Sequence, residues 1–113
     1  MKTSVVGQRA ETAVADYLLE NGYKILDRNW KTAVCEIDIV AIKGDVVYLT
    51  EVKYRSSSAQ GGGFDYIGPQ KLKQMNFAGR VWAQNNHFSG DYRLMAAEVS
   101  GLNFENIEII ELS

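Results

Sequence analysis

Two runs rich in Ile, Val and Tyr, residues 36–42 and 46–53, flank the pair Gly44-Asp45, and no other feature of the chain restricts its fold so tightly. A Gly-X pair between β-prone segments suits a two-residue type II′ hairpin turn. With that turn, cross-strand partners have numbers summing to 89, which sets Ile42 opposite Val47, Val40 opposite Leu49, Asp38 opposite Glu51 and Glu36 opposite Lys53. Side chains alternate along a strand, so all eight are expected on one face. Near the turn that face is apolar, and beyond Val40 it becomes wholly ionisable. Slipping the register by one residue would carry Glu51 to the other face but would break the apolar matches.

Directly opposed side chains have Cβ atoms about 5 Å apart, a separation at which two carboxylates repel and gain nothing by packing. A cation is therefore expected between Asp38 and Glu51. One reading is a sheet end dipping into solvent, with Lys53 neutralising its neighbours. The other is a site for a hard divalent cation, since Mg²⁺ and Mn²⁺ prefer oxygen ligands and two carboxylates plus the Val52 carbonyl leave positions for water and phosphate oxygens. Glu36, one pair further out, is expected to bridge to Lys53 or to support the site from behind.

Around the hairpin, residues 4–21 place Val6, Ala10, Ala13, Val14, Tyr17 and Leu18 at helical spacing, with Thr3 or Ser4 as N-cap and Gly22 as the stop. Residues 23–30 read as a first strand, suited to a sheet edge. The segment 55–63, ending in three glycines, offers nothing to bury and is expected to be a mobile loop. Pro69 opens a second helix through Leu72, Met75, Phe77, Ala78 and Trp82 that breaks up near Asn85, Asn86 and His87. Residues 92–99 and 107–112 close the order α-β-β-β-α-β-β as strands. Trp30 and Trp82 are expected in the core rather than stacked on bases, Cys35 as a small buried residue and His87 in a loop.

A chain of 113 residues, 46% hydrophobic and 23% charged, is expected to form a single α/β domain spanning 1–113. One cysteine excludes an internal disulfide, and with a single histidine it cannot make a four-ligand zinc site. The first nine residues lack the apolar run of a signal peptide and no segment has the length to span a bilayer, so a cytoplasmic location without membrane association is expected. The net charge of −2 opposes purely electrostatic nucleic-acid binding. Its distribution tempers that objection: residues 1–80 carry 11 Lys/Arg against 9 Asp/Glu, and residues 81–113 carry 1 against 5. Any phosphate-binding face is expected in the first part.

Several motifs together resemble the YraN-like, endonuclease-related bacterial family of the PD-(D/E)XK nuclease superfamily. They are Gly7-Gln8-Arg9-Ala10-Glu11, Gly22-Tyr23-Lys24-Ile25-Leu26 with Arg28-Asn29-Trp30, Glu36-Ile37-Asp38-Ile39-Val40-Ala41, and Glu51-Val52-Lys53-Tyr54-Arg55, continued by Lys71, Met75 and Ala78. The spacing from Glu11 to Asp38 to Glu51 is also similar to that of archaeal Holliday-junction resolvases. Two positions depart from the family pattern: Cys35 stands where glycine is usual, and Met95 where an aspartate follows an arginine such as Arg93.

The resemblance implies a restriction-endonuclease-like core, a mixed β-sheet flanked by helices, and hydrolysis of phosphodiester bonds in DNA, branched or structured DNA in particular. Asp38, Glu51 and the Val52 carbonyl would hold Mg²⁺ or Mn²⁺, and Lys53 would orient the nucleophile. Glu11 would reach the metal directly or through water, or else remain a solvated glutamate near the helix start. Arg9, Arg55, Gln70, Lys71 and Lys73 are the candidate nucleic-acid contacts, the start of the second helix offering free N–H groups and a cation to phosphate. A homodimer would let two sites address two strands. The competing reading is a nucleic-acid-binding or scaffolding protein that keeps the fold without catalysis, which the acidic balance favours.

Overall fold

Ser4 starts the first helix: its Oγ accepts the Gly7 N–H at 2.9 Å, satisfying one of the donors that a helix N-terminus leaves free. The computed structural model describes residues 4–56 and 64–113, and in it α1 runs Val5–Glu20. Asn21 caps its end and Gly22 takes the left-handed conformation (φ 91°) that turns the chain back. The strands β1 (Lys24–Lys31), β2 (Glu36–Lys43) and β3 (Val46–Arg55) follow, then α2 (Pro69–Asn85), β4 (Tyr92–Ser100) and β5 (Asn106–Glu111). This is the expected order α-β-β-β-α-β-β. From residue 57 to 63 the expected loop lies outside the described residues.

The five strands form one mixed sheet in the order β1-β2-β3-β4-β5, with β1 at an edge as expected. Only β3 and β4 run parallel, and α2 supplies the crossover that a parallel pair requires. Between β2 and β3, Gly44 has φ 64° whereas Asp45 does not enter the positive-φ region, the pattern of a type II′ turn.

Each face of the sheet carries one helix. Ala10, Val14 and Leu18 of α1 pack on Ile39, Ala41, Met95, Ala97 and Val99, and Met75, Ala78 and Trp82 of α2 pack on Val40, Val47, Leu49 and Leu94. Covering on both sides is why Leu94, Met95, Ala96 and Ala97 are all buried without alternation. Val6 and Tyr17, which helical spacing places on the α1 stripe, remain exposed, and Glu11 and Ala15 are buried instead. Trp82 is core, as expected, and its Nε1 donates to Asp27 Oδ2 at 3.0 Å, tying α2 to β1. Trp30 packs partly buried at the same core, and His87 sits in the exposed turn after α2.

Gly79 sets how closely α2 approaches the sheet. A Cβ there would collide with Leu49 Cδ1 and press on the Tyr92 ring. Gly79→Val is therefore expected to cost about 1–3 kcal/mol through overpacking. Thermal melting checks this, and an unchanged midpoint would mean that the helix can withdraw at no cost.

Candidate functional site

The β2–β3 ladder carries the expected pairs Ile42↔Val47 and Val40↔Leu49 and ends at Ile39↔Thr50. The expected oppositions of Asp38 to Glu51 and Glu36 to Lys53 do not form. Beyond Ile39 the two strands follow different partners: β2 stays with β1 through Trp30↔Ile37 and Lys31↔Glu36, while β3 stays with β4 through Arg55↔Ser100. Alternation breaks at the same place. Ile39 and Ala41 pack on the α1 side, yet Ile37 packs with Val40 on the α2 side, so the strand turns over around Asp38.

Asp38 takes the place of the missing ladder. Its Oδ2 accepts the Val52 N–H at 2.8 Å. The N–H and C=O of one strand residue point to the same edge, so the Val52 carbonyl also faces the split. Burial, and then the charges of Glu51, Glu11 and Glu36, push the Asp38 carboxyl up to about 7 against the lowering effect of the Val52 hydrogen bond. Glu11, at 6% exposure, enters from α1 with its Oε1 buried and unpartnered, and burial raises its carboxyl above the ordinary range. An Asn29 hydrogen bond and the Arg28 charge oppose that rise.

A cation meets Glu51 from the other layer: Lys71 Nζ lies 2.9 Å from Glu51 Oε2, both side chains partly exposed. Helix α1 thus contributes a carboxylate and helix α2 an ammonium to the same break in the sheet. Glu36 remains exposed and, among the described residues, forms no ion pair with Lys53 or any other cation, although its charge still acts on Asp38 and Glu11. Lys53 is exposed, its ammonium 5.6 Å from the centre of the Tyr66 ring.

Tyr66 is a member that sequence reasoning missed. The Tyr66 hydroxyl and Thr50 Oγ1 are buried without a hydrogen-bond partner. Burial first, then the carboxylates of Glu51 and Glu98, raise the Tyr66 hydroxyl well above the usual tyrosine range, so it stays a neutral O–H donor. Tyr66 follows the glycine-rich segment, and no spacing relative to the acidic motifs points to it. Only the fold lays its ring against Lys53 and Arg55.

The candidate nucleic-acid contacts do not form one surface. Gln70 and Lys73 are exposed near the start of α2 beside Lys71. Arg9, on α1, stacks 4.7 Å from the Phe104 ring centre, in the layer packed on the opposite face of the sheet. Arg55 is engaged with Glu98 at 2.6 Å. Cys35 is half-buried and closes a tight turn in which its N–H and that of Val34 donate to Thr32 Oγ1. Met95 lies beside Thr50 in the β3–β4 ladder, buried against the α1 layer, where an aspartate would lack water.

The donors at the split are all oxygens: Asp38, Glu51, the Val52 carbonyl and the unpartnered Glu11 Oε1. By chemical type that set suits a hard divalent cation, whose charge would offset the burial, and then the neighbouring carboxylates, that raise Asp38. Among the described residues no group of three His, Cys, Asp or Glu side chains is placed so that it could hold a metal ion, and Glu51 is held by Lys71. No helix of the described residues is long and apolar enough to cross a membrane.

Comparison with known proteins gives one consistent result. The model of a family described as "Uncharacterised protein family UPF0102" matches residues 10–109. A UPF0102 protein of Arthrobacter sp. (strain FB24) is 39% identical over 82 residues, covering 73% of this chain and 70% of its own. One from Renibacterium salmoninarum is 35% identical over 101 residues, covering 88% and 86%. One from Pseudomonas putida (strain KT2440) is 36% identical over 86 residues, covering 76% and 69%.

Proposed function

The chain belongs to the uncharacterised protein family UPF0102, the YraN-like family, and from the carboxylates gathered at its split sheet we propose that it is a metal-dependent endonuclease of the PD-(D/E)XK type, hydrolysing phosphodiester bonds in DNA, structured or branched DNA in particular. The observation that carries this reading is the geometry at the split: Asp38 accepts the Val52 N–H where the β2–β3 ladder ends, and the Glu11 Oε1 enters from α1 buried and unpartnered. The raised Asp38 carboxyl supports it, since a divalent cation would offset the cost of its charge. Asp38, Glu51 and the Val52 carbonyl would hold Mg²⁺ or Mn²⁺, with Glu11 reaching it directly or through water. When bound, the ion supplies charge neutralisation at the phosphate and activation of a water molecule.

The chain's own groups do the rest. Lys53, exposed and two residues beyond Glu51, places its ammonium against charge that builds on the phosphate and orients the attacking water. The Val52 N–H holds the Asp38 carboxylate in one orientation. Lys71 neutralises Glu51, and with Glu51 engaged by a metal ion its ammonium would be available to a phosphate oxygen.

This exchange makes a prediction of opposite signs. Lys71→Gln removes the competitor for Glu51, and Mn²⁺ binding measured by calorimetry is expected to tighten about fivefold, the worth of a partly exposed ion pair. DNA binding in the presence of metal is expected to weaken. Equal Mn²⁺ affinity in both proteins would mean that Lys71 never guards the ligand.

The function itself is tested by incubating the purified chain with flap, junction, single-stranded and duplex DNA in Mn²⁺ or Mg²⁺. Nicking that EDTA abolishes is the expected result. If no substrate is cut while binding persists, the chain is a non-catalytic nucleic-acid-binding protein.

A further inference from the structure

A groove of about 270 Å³ runs from Glu51 outward between the turn carrying Val34 and the side of α2 carrying Lys71, Gln74 and Phe77. Val34 is 71% exposed and Phe77 41%. A single exposed apolar side chain is ordinary on a protein surface. Here two of them line one groove whose inner end is an ammonium and a carboxylate, and core packing has no use for either. Along α2, Lys71, Gln74 and Phe77 recur every third residue and cover about 9 Å of helix axis. Cation, amide and aromatic ring in that order match the phosphate, the base edge and the base face of one nucleotide.

We propose that this groove takes one unstacked nucleobase of a DNA strand whose phosphate lies at Lys71, with Phe77 stacking on the base and the Gln74 amide hydrogen-bonding its edge. The proposal rests on the phosphodiester reading of the site and narrows its substrate class. A base inside a continuous duplex has both faces covered by its neighbours and cannot enter the groove without being unstacked. A single strand, a flap or a frayed end offers the face freely, and stacking tolerates any base. The groove holds carboxylates at Glu36 and Glu51, which oppose a second phosphate but not an uncharged ring. Arg80, 6.0 Å from the Phe77 ring centre, adds a cation beside that ring for the phosphate that follows.

The test is fluorescence anisotropy with labelled fifteen-residue oligothymidylate and a duplex of the same length, in EDTA and in Ca²⁺, for wild type, Phe77→Ala and Phe77→Trp. Phe77 is exposed, so neither variant is expected to move the thermal midpoint. Phe77→Ala is expected to weaken single-strand binding about 5- to 100-fold, the loss of one base–aromatic stack, with duplex affinity unchanged and Phe77→Trp binding at least as tightly as wild type. Equal single-strand affinity of Phe77→Ala and wild type, an equal loss on duplex, or no binding of the single strand by wild type overturns the groove. Nuclease activity fails separately: wild type that binds the single strand through Phe77 but cuts nothing keeps the groove and loses hydrolysis. Cleavage together with Phe77-independent binding does the reverse.

Discussion

Lys53→Ala is expected to slow Mn²⁺-dependent cleavage by about a hundredfold or more, the usual cost of losing one group that stabilises charge in the transition state. Its Mn²⁺ affinity is expected to stay close to wild type. The two effects separate because Lys53 is exposed and, among the described residues, ion-paired with none of the site's carboxylates. Its contact is with the face of Tyr66, which keeps the ammonium near the split without tying it to a ligand. Removing it takes away a compact charge and leaves Asp38, Glu51 and the Val52 hydrogen bond in place. Single-turnover cleavage and calorimetry on the same preparation check both halves. Cutting as fast as wild type would assign hydrolysis to other residues, and a parallel loss of Mn²⁺ binding would make Lys53 a support of the metal ligands.

Asp38→Asn is expected to stabilise the metal-free protein at pH 8 and to remove most of its stabilisation by Mn²⁺. Burial and three neighbouring carboxylates raise the folded carboxyl from 3.8 to about 7, so between those values the folded state holds a proton that the unfolded state has released. Stability from this group is therefore complete below about pH 4 and is lost as pH rises through 7, a difference of up to about 4 kcal/mol at 1.36 kcal/mol per pH unit. The raised Glu11 carboxyl works in the same direction. Asparagine keeps an oxygen for the Val52 N–H and carries no charge, so the variant should lose less in melting temperature between pH 5 and pH 8 than wild type, keeping only the smaller loss due to Glu11, and should melt above wild type at the higher pH. Adding Mn²⁺ should raise the wild-type midpoint strongly, since a ligand bound only by the folded state stabilises it by mass action. A flat wild-type profile between pH 5 and pH 8, or equal stabilisation of both proteins by Mn²⁺, would leave Asp38 as an ordinary polar residue of the sheet.

Both expectations concern residues readable in the chain before any fold is known, because the information is local. A Gly-X pair between β-prone runs sets the hairpin register through turn geometry, and the pairs Ile42↔Val47 and Val40↔Leu49 follow from it. Ser4, Gly22 and Pro69 mark helix ends through their own backbone and hydrogen-bonding preferences, and α1 and α2 start and stop where those residues place them. The order of elements and the edge position of β1 belong to the same local record.

Tertiary structure decided what happens beyond Ile39. Extending the hairpin to Asp38 and Glu51 assumes that two strands keep one partner, but β2 is also held by β1, β3 by β4, and the competition ends their common ladder. From that split come the carboxylate in place of a backbone bond, the buried Glu11 from one helix, and the Lys71 ammonium from the other. Tyr66 over Lys53, and the groove between Val34 and Phe77, likewise join segments far apart in the chain. Periodicity reports which side of its own element a residue lies on. Which elements then meet, and which charges must share a buried volume, depends on how both layers pack on the sheet, and that is where the chemistry of the site is set.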